Sequence, residues 1–413
     1  MTRASPPGLA GGSQGGWRAP AWRTAELGRA AVHWPEIFVS DVLGAAARAG
    51  TDLPRVLVYY PVAHLNPFQH LLYAQAEQAG YALVPAARVD EIGTVGWGGR
   101  AVVHLHWLAG LLRSARHGAQ AMETVADLDA RMLAWRRQGY RIVWTVHNIL
   151  PHRTVHLEAE VALRKAVVRR AHLVHVMSRN TAQAVRPWYA LPQRKLLHVP
   201  HPSYAAWYPA FRGRQACRAD LDMGPDEFAF LFFGSLQPYK GVLELLSAYD
   251  ALRAAQPGRK LRLVIAGKPV DPAYCEEIAQ RVRGRRDVSF WPSTIEDAQL
   301  QTLFTAADVV VVPYLRTLNS GVALLAATFR RMVVGPDAGA LAQTFAEDPA
   351  LLYDEADPDG LRGAMARALS HRADESVLGR IAGQHDPAAL SARFFQGLDE
   401  RLFRAARPAG GAA

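Results

Sequence analysis

Short runs of apolar residues, mostly β-branched or aromatic, recur along the chain, separated by longer stretches in which apolar residues fall three and four apart. The short runs read as strands buried on both faces, and the longer stretches as helices. In the first half the expected strands are 55–60 (RVLVYY), 81–84, 101–106 (AVVHLH), 141–146 (RIVWTV), 173–178 and 196–200. The expected helices there are 67–79, 122–138 and 157–170. Asn66 as N-cap, Pro67 in the first helical position and Gly80 past the last turn frame the first of them. Residues 201–225 hold prolines and aromatics without a period, so the boundary between two domains is placed there. The alternation then restarts, with strands 228–233 (FAFLFF), 261–266 (LRLVIA) and 288–291 and helices 242–256, 273–283 and 295–306. Alternating strands and helices argue for an α/β protein with an open, mostly parallel sheet in each half.

The stretch 308–339 is the unit on which the second half turns. Val309 to Val312 form a short buried strand, Val322 to Phe329 an Ala/Leu-rich helix, and Met332 to Val334 a further strand. Thr317, Asn319 or Ser320 can cap the helix. Ser320 and Gly321 then stand at a helix N-terminus whose N–H groups suit a phosphate; an ordinary tight turn in a βαβ unit is the plainer reading.

Ligands of parallel α/β sheets bind outside the carboxyl ends of the strands. In the second half those ends carry Gly234, Ser235, Lys240 and Gly241 after one strand, Lys268 after the next, and Asn319, Ser320 and Gly321 at the helix start. Two lysines and a helix end around one rim suit a diphosphate, although each lysine alone reads as a solvated turn residue. The first half offers His104 and His106 on one strand face, and His147 and His152 in the loop after another strand. No metal-ligand spacing supports a metal at His104 and His106. The pairs Asp127/Asp129 and Asp220/Asp222 fall in a helix and in the connector, away from any strand end, and read as solvated charges.

Composition narrows the classes. A chain of 413 residues is too long for one ordinary core, and 50% hydrophobic with 20% charged residues describes a globular protein. Two cysteines make neither a disulfide framework nor a metal cluster. No apolar run of about 18 residues and no basic-then-apolar leader is present, which gives an expectation of a cytoplasmic protein. The net charge of +10 favours an anionic partner without choosing among nucleic acid, anionic lipid and a phosphorylated substrate. No nucleic-acid motif occurs, so nucleic acid is not expected. The basic helix at 163–170, with Arg131, Arg136 and Arg137, reads either as a solvated face or as a peripheral contact with the inner face of an anionic membrane.

The order FFGSLQPYKGVLELLSAYDAL, LRLVIAGKP, SFWPSTIEDAQLQTLFTAADVVVVPY, NSGVALLAATFRRMVVGPDAGAL resembles the donor domain of GT-B glycosyltransferases. NPFQHLLYAQAEQAG, VVHLHW and WTVHNILPH resemble the acceptor half of bacterial enzymes that build exopolysaccharide or lipid-linked saccharides, nearest to their β-mannosyltransferase-like group. The resemblance implies two Rossmann-like domains facing across a cleft. A tail at 1–25 is expected to precede an acceptor-side domain at 26–203 and a nucleotide-sugar domain at 204–385, with a helix and loose tail at 386–413. It implies transfer of a sugar from a nucleotide diphospho-sugar, GDP-mannose or a UDP-sugar, to a saccharide or polyprenyl-diphosphate-linked acceptor, with no cofactor and no metal. Lys240 stands at the family's phosphate lysine and His147 at its sugar-contacting histidine. His147 and His152 are the candidate bases, ahead of Glu158 and Glu160. The chain departs from the family's retaining members: their two glutamates read here as Leu318 and Ala326, and their arginine as Ser235. Those departures raise a second reading, a sugar-nucleotide-binding protein that kept the fold and lost catalysis.

Overall fold

A computed structural model describes residues 44–403, apart from 49, 51–53, 64–65, 95–97, 152–153, 316–317 and 373. The expected tail at 1–25, the segment 26–43 and the chain after 403 lie outside the described residues. Six parallel strands form the first sheet: β1 (Arg55–Tyr60), β2 (Tyr81–Pro85), β3 (Ala101–Leu105), β4 (Arg141–Thr145), β5 (Leu173–Val176) and β6 (Leu196–His198), in the order β2-β1-β3-β4-β5-β6. Six more form the second: β7 (Phe228–Phe233), β8 (Leu261–Ala266), β9 (Val288–Trp291), β10 (Val309–Val311), β11 (Met332–Pro336) and β12 (Leu352–Tyr353). Their order is β12-β11-β10-β7-β8-β9, the doubly wound arrangement of a dinucleotide-binding sheet. Both sheets are buried on both faces, which is why their strands are nearly continuous apolar runs.

The direction of winding reverses once in each sheet, between β1 and β3 in the first and between β7 and β10 in the second. At such a switch point the connecting helices leave to opposite faces and open a crevice at the carboxyl rim. His106 follows β3, and the Gly234–Gly241 loop follows β7. Chain topology alone therefore places the histidine-rich rim and the lysine-bearing rim at the two crevices.

Three differences from the sequence expectation have local causes. The helix expected at 67–79 is only Phe68–Leu72, continued by turns to Gly80. Asn66 does cap its start, accepting from the Phe68 N–H at 3.0 Å, but the Gln75 N–H donates to Ser391 Oγ at 2.9 Å instead of to the preceding turn. The helix Pro387–Leu398 that supplies Ser391 returns from the second half of the chain and seals one face of the first sheet. Leu390, Phe394, Phe395 and Leu398 are buried there against Leu57, Phe68 and Val102, each contributing about 1.5–3 kcal/mol. Third, the connector contains a helix, Arg214–Ala219, clamped to the second domain by Arg214 on Asp308 at 2.6 Å and by Arg218 on the Ala306 carbonyl at 3.0 Å.

Candidate active site

The first-domain crevice is lined by uncharged histidines. His104 and His106 share one face of the chain at β3, as a period of two requires, and both hydrogen-bond Tyr73 Oη, at 2.7 and 2.6 Å. The second nitrogen of His104 meets Thr145 Oγ1 at 2.7 Å, and that of His106 meets His147 Nε2 at 3.0 Å. Every ring nitrogen of the pair is thus used inside the protein, and none is left to bind a metal. Thr145 Oγ1 also meets His175 Nδ1 at 2.9 Å, and His175 Nε2 donates to the Val199 carbonyl at 2.9 Å. Burial holds all of these imidazoles below their ordinary pKa, His175 at about 4, because the charged ring cannot keep its hydration there.

His147 follows β4 and is the half-buried end of this group, its ring stacked on Trp107 at a centroid distance of 4.0 Å and met edge-on by Phe68 at 4.9 Å. A cavity of about 30 Å³ lies against it, lined by residues including Trp144, Asn148 and Arg164. Arg164 is buried and pins the loop, donating to the Ile149 carbonyl at 3.0 Å and to Glu160 at 2.5 Å. Glu160 is committed to that pair, which removes it as a candidate base; Glu158 is exposed on the first turn of the helix Leu157–Arg170. His152 lies outside the described residues.

The second-domain crevice is cationic. Lys240 projects from the short turn Pro238–Lys240, with Nζ 3.6 Å from the centre of the Tyr314 ring and 5.1 Å from that of Tyr239. Burial lowers its pKa, a contact with Tyr239 opposes this, and among the described residues no carboxylate pairs with it. A desolvated ammonium held by ring faces lacks an anion. Gly241 follows at φ 69°, where a Cβ would overlap the Pro313 carbonyl, so glycine lets the two loops of this rim touch. The first N–H groups of the next helix, on Val242 and Leu243, are taken by Tyr274 Oη at 2.9 and 3.2 Å, which leaves that helix end capped. Gly234 donates to Ala266 and extends the ladder, Ser235 Oγ accepts from Gln237 at 2.8 Å, and the Lys268 side chain is exposed at the end of β8.

The helix Gly321–Thr328 starts one residue before the expected Val322, with Ser320, one of the three expected caps, accepting from the Ala323 N–H at 3.3 Å. Gly321 has no positive φ; its small size admits Tyr204 Oη, which a Cβ would strike. The loop before this helix bridges the cleft, for Asn319 Nδ2 donates to the His147 carbonyl at 3.2 Å and Leu318 is buried in the first domain's apolar cluster. One loop therefore touches both Lys240, through Tyr314, and His147, through Asn319. Sequence reasoning missed Tyr73, Thr145, His175, Tyr239 and Tyr314. For Thr145 and His175 the signal was present, as lone polar residues inside strands that otherwise read as wholly apolar.

Residues 227–371 match the model of the family described as glycosyl transferases group 1, which spans most of the second domain. The chain is 26% identical over 313 residues to a GDP-mannose:glycolipid 4-beta-D-mannosyltransferase of Xanthomonas campestris pv. campestris, covering 74% of this chain and 78% of that protein. It is 26% identical over 362 residues to a D-inositol 3-phosphate glycosyltransferase of Segniliparus rotundus, covering 85% and 76%. In fold it is similar to Anabaena HepE in complex with UDP and glucose, with a TM-score of 0.56 at 16% identity over 84% of this chain and 99% of that one. The E. coli trehalose-6-phosphate structure bound with UDP-2-fluoro glucose gives 0.59 at 14% identity over 86% and 100%. The chain has the GT-B fold, and its second domain matches a family of glycosyl transferases.

The enzyme's departures from the retaining pattern have physical counterparts. At Leu318 an apolar side chain docks the bridging loop onto the first domain, where a carboxylate would be desolvated. Ala326 is fully buried in the helix Gly321–Thr328 and leaves no room for a glutamate. The basic surface is largely committed: Arg169 and Arg170 pair with Asp129, Arg131 with Asp127, and Arg136 caps the Arg170 carbonyl. Asp127 and Asp129 serve those pairs on helix surfaces, and Asp220 pairs with Arg212. Among the described residues no cluster of His, Cys, Asp and Glu is arranged to hold a metal, and no helix is long and apolar enough to cross a membrane.

Proposed function

We propose that this glycosyltransferase moves mannose from GDP-mannose to a glycolipid or saccharide acceptor, inverting the anomeric centre, with His147 as general base. One observation carries the reading: a single loop sets the Tyr314 ring against the desolvated Lys240, which lacks an anion, and donates from Asn319 to the backbone carbonyl of His147, the proposed base. In the transfer, His147 takes the acceptor hydroxyl's proton and the hydroxyl oxygen bonds the anomeric carbon. The bond from that carbon to the diphosphate oxygen breaks, and its electron pair leaves with GDP. Lys240 and the N–H groups at the start of Gly321–Thr328 meet the charge that develops on the leaving diphosphate. The choice of GDP-mannose and a glycolipid follows the Xanthomonas relative, named for both. A β product from an α-linked donor requires inversion, and an inverting path has no use for a carboxylate at Leu318 or Ala326.

The test is consumption of a panel of nucleotide sugars by the purified protein with a polyprenyl-diphosphate-linked saccharide, with the product anomer read by NMR. GDP-mannose consumed with β product, at a rate unchanged by EDTA, is the expected result. Loss with EDTA and recovery with Mn²⁺ would remove the metal-free part of the reading. The missing carboxylates and Ser235 favour one other reading, a sugar-nucleotide-binding protein without turnover; it predicts GDP binding and no consumption of any donor. A lipid-borne acceptor would bring the enzyme to the inner face of a membrane, and sedimentation with anionic vesicles tests that part.

A further inference from the structure

The hydrogen bonds behind His147 form one continuous chain. It runs from the Val199 carbonyl to His175, Thr145, His104, Tyr73, His106 and His147, with successive separations of 2.9, 2.9, 2.7, 2.7, 2.6 and 3.0 Å. The elements that supply it are neighbours in the first sheet: Thr145 and His175 are register partners on β4 and β5, and His104 lies on β3 opposite Val143 of β4. Tyr73 enters from the turn after Phe68–Leu72, where the helix is interrupted by Ser391.

A peptide carbonyl can only accept, so the chain has a direction. His175 must carry its proton on Nε2. A neutral imidazole has one N–H, so His175 Nδ1 accepts, and the Thr145 hydroxyl gives its single proton to it. Thr145 Oγ1 then accepts from His104 Nε2–H. His104 Nδ1 accepts from the Tyr73 hydroxyl, which in turn accepts from His106 Nε2–H. His106 Nδ1 accepts from His147 Nε2–H. Burial keeps each ring neutral and Tyr73 protonated, so no member carries a spare proton. His147 therefore ends the chain with Nε2 protonated and Nδ1 bare, and among the described residues nothing bonds Nδ1.

We infer that Tyr73, His104, His106, Thr145 and His175 are positioning residues which, anchored on one backbone carbonyl, fix the tautomer of His147 so that Nδ1 is the atom that takes the acceptor's proton. This rests on the base role proposed above for His147. A histidine free to choose its tautomer would spend part of its time with Nδ1 already protonated and unable to act as a base. The arrangement does for an uncharged site what a carboxylate partner does for a charged one: it orients the ring and selects the reactive nitrogen.

Two-bond ¹H–¹⁵N NMR on histidine-labelled free enzyme reads the tautomer directly, with His147 assigned by the signal lost in His147→Asn. The expected spectrum shows His147 as a single Nε2–H tautomer. Tyr73→Phe and Thr145→Val each cut the chain and let everything beyond the cut reverse, so His147 should become mixed or Nδ1–H. The turnover number for transfer should fall roughly tenfold or more while the KM for donor stays within about twofold. Thr145→Ser restores the hydroxyl and should restore both tautomer and rate. A native His147 that is already Nδ1–H or mixed overturns the inference, as does an unchanged tautomer in both cut variants. The spectra need no substrate. An enzyme with the expected tautomer but no turnover of any donor would count against the base role alone.

Discussion

The two crevices come from the same architecture and carry opposite chemistry. Each sits where a parallel sheet reverses its winding, yet the first is lined by neutral rings and the second by a cation. In the first, burial acts on groups that can give up their charge: the imidazoles stay neutral and satisfy one another, and one nitrogen at the end is left to accept a proton. In the second, burial acts on a lysine whose charge is softened by two tyrosine rings without being neutralised, and among the described residues no carboxylate pairs with it. A transfer reaction needs a proton acceptor on one partner and charge stabilisation on the other, and the roles proposed for His147 and Lys240 would draw both from desolvation of different side chains.

The contrast predicts first how the fold responds to acid. His175 and His201 are held at about 4 by burial, and His104, His106 and His147 are also held well below their ordinary value of 6.5. A group whose folded pKa lies below its unfolded one binds fewer protons when folded, so stability rises with pH until the unfolded value is passed. That stability is fully present above about pH 7 and is lost as pH falls from about 6.5 toward 4. Between about pH 7 and 5.5 each such ring should cost about 1 kcal/mol, and the effect of the group together is the largest expected here. Thermal melts across that range check it, and a melting temperature flat from pH 7 to 5 would mean the rings are not held neutral. Next in size is His147→Ala, expected to lower the turnover number by about 10²–10⁴ with GDP affinity within about twofold. Should donor affinity collapse as well, the two crevices do not divide the work. Lys240→Ala should do the reverse, weakening GDP binding by about 1.5–3 kcal/mol in calorimetry and leaving the melting temperature at pH 7 almost unchanged.

Much of this arrangement was legible in the sequence, and the limits are physical. Strands such as Phe228–Phe233 and Leu261–Ala266 could be placed to the residue because each is an apolar run, broken only by Arg262, between a charged residue and a glycine. Lys240, Ser320 and His147 could be placed at strand ends and at a helix start because turn residues and caps mark the carboxyl rim. The histidine chain was not found, since its bonds join residues up to 41 positions apart and depend on strand order, which no local pattern encodes. Glu160 looked like a free acid because its partner, Arg164, reads as one more basic residue on a charged helix. The shortened helix Phe68–Leu72 depended on Ser391, more than 300 residues away in sequence.

Gly321 gives the smallest effect and separates two reasons for one residue. The sequence suggested that glycine opens the helix N-terminus to phosphate, or that it serves only a tight turn, where a positive φ would call for it. The backbone there has no positive φ, and the space a Cβ would fill belongs to Tyr204 Oη. Tyr204 is itself held between His201 and Tyr208, with ring centroids at 5.8 and 5.7 Å, so it cannot swing aside freely. Gly321→Ala should therefore destabilise the fold by about 1–2 kcal/mol, the cost of a modest overpacking, despite alanine's better helix propensity. Tyr204→Phe removes the atom in conflict, and in that background Gly321→Ala should lose most of its cost. Because alanine keeps the backbone N–H, GDP affinity in the double variant should match that of Tyr204→Phe alone. Recovered stability with GDP binding lost would instead make close approach of the phosphate the reason for glycine, and the donor would then be read through the backbone of the bridging loop as well as through Lys240.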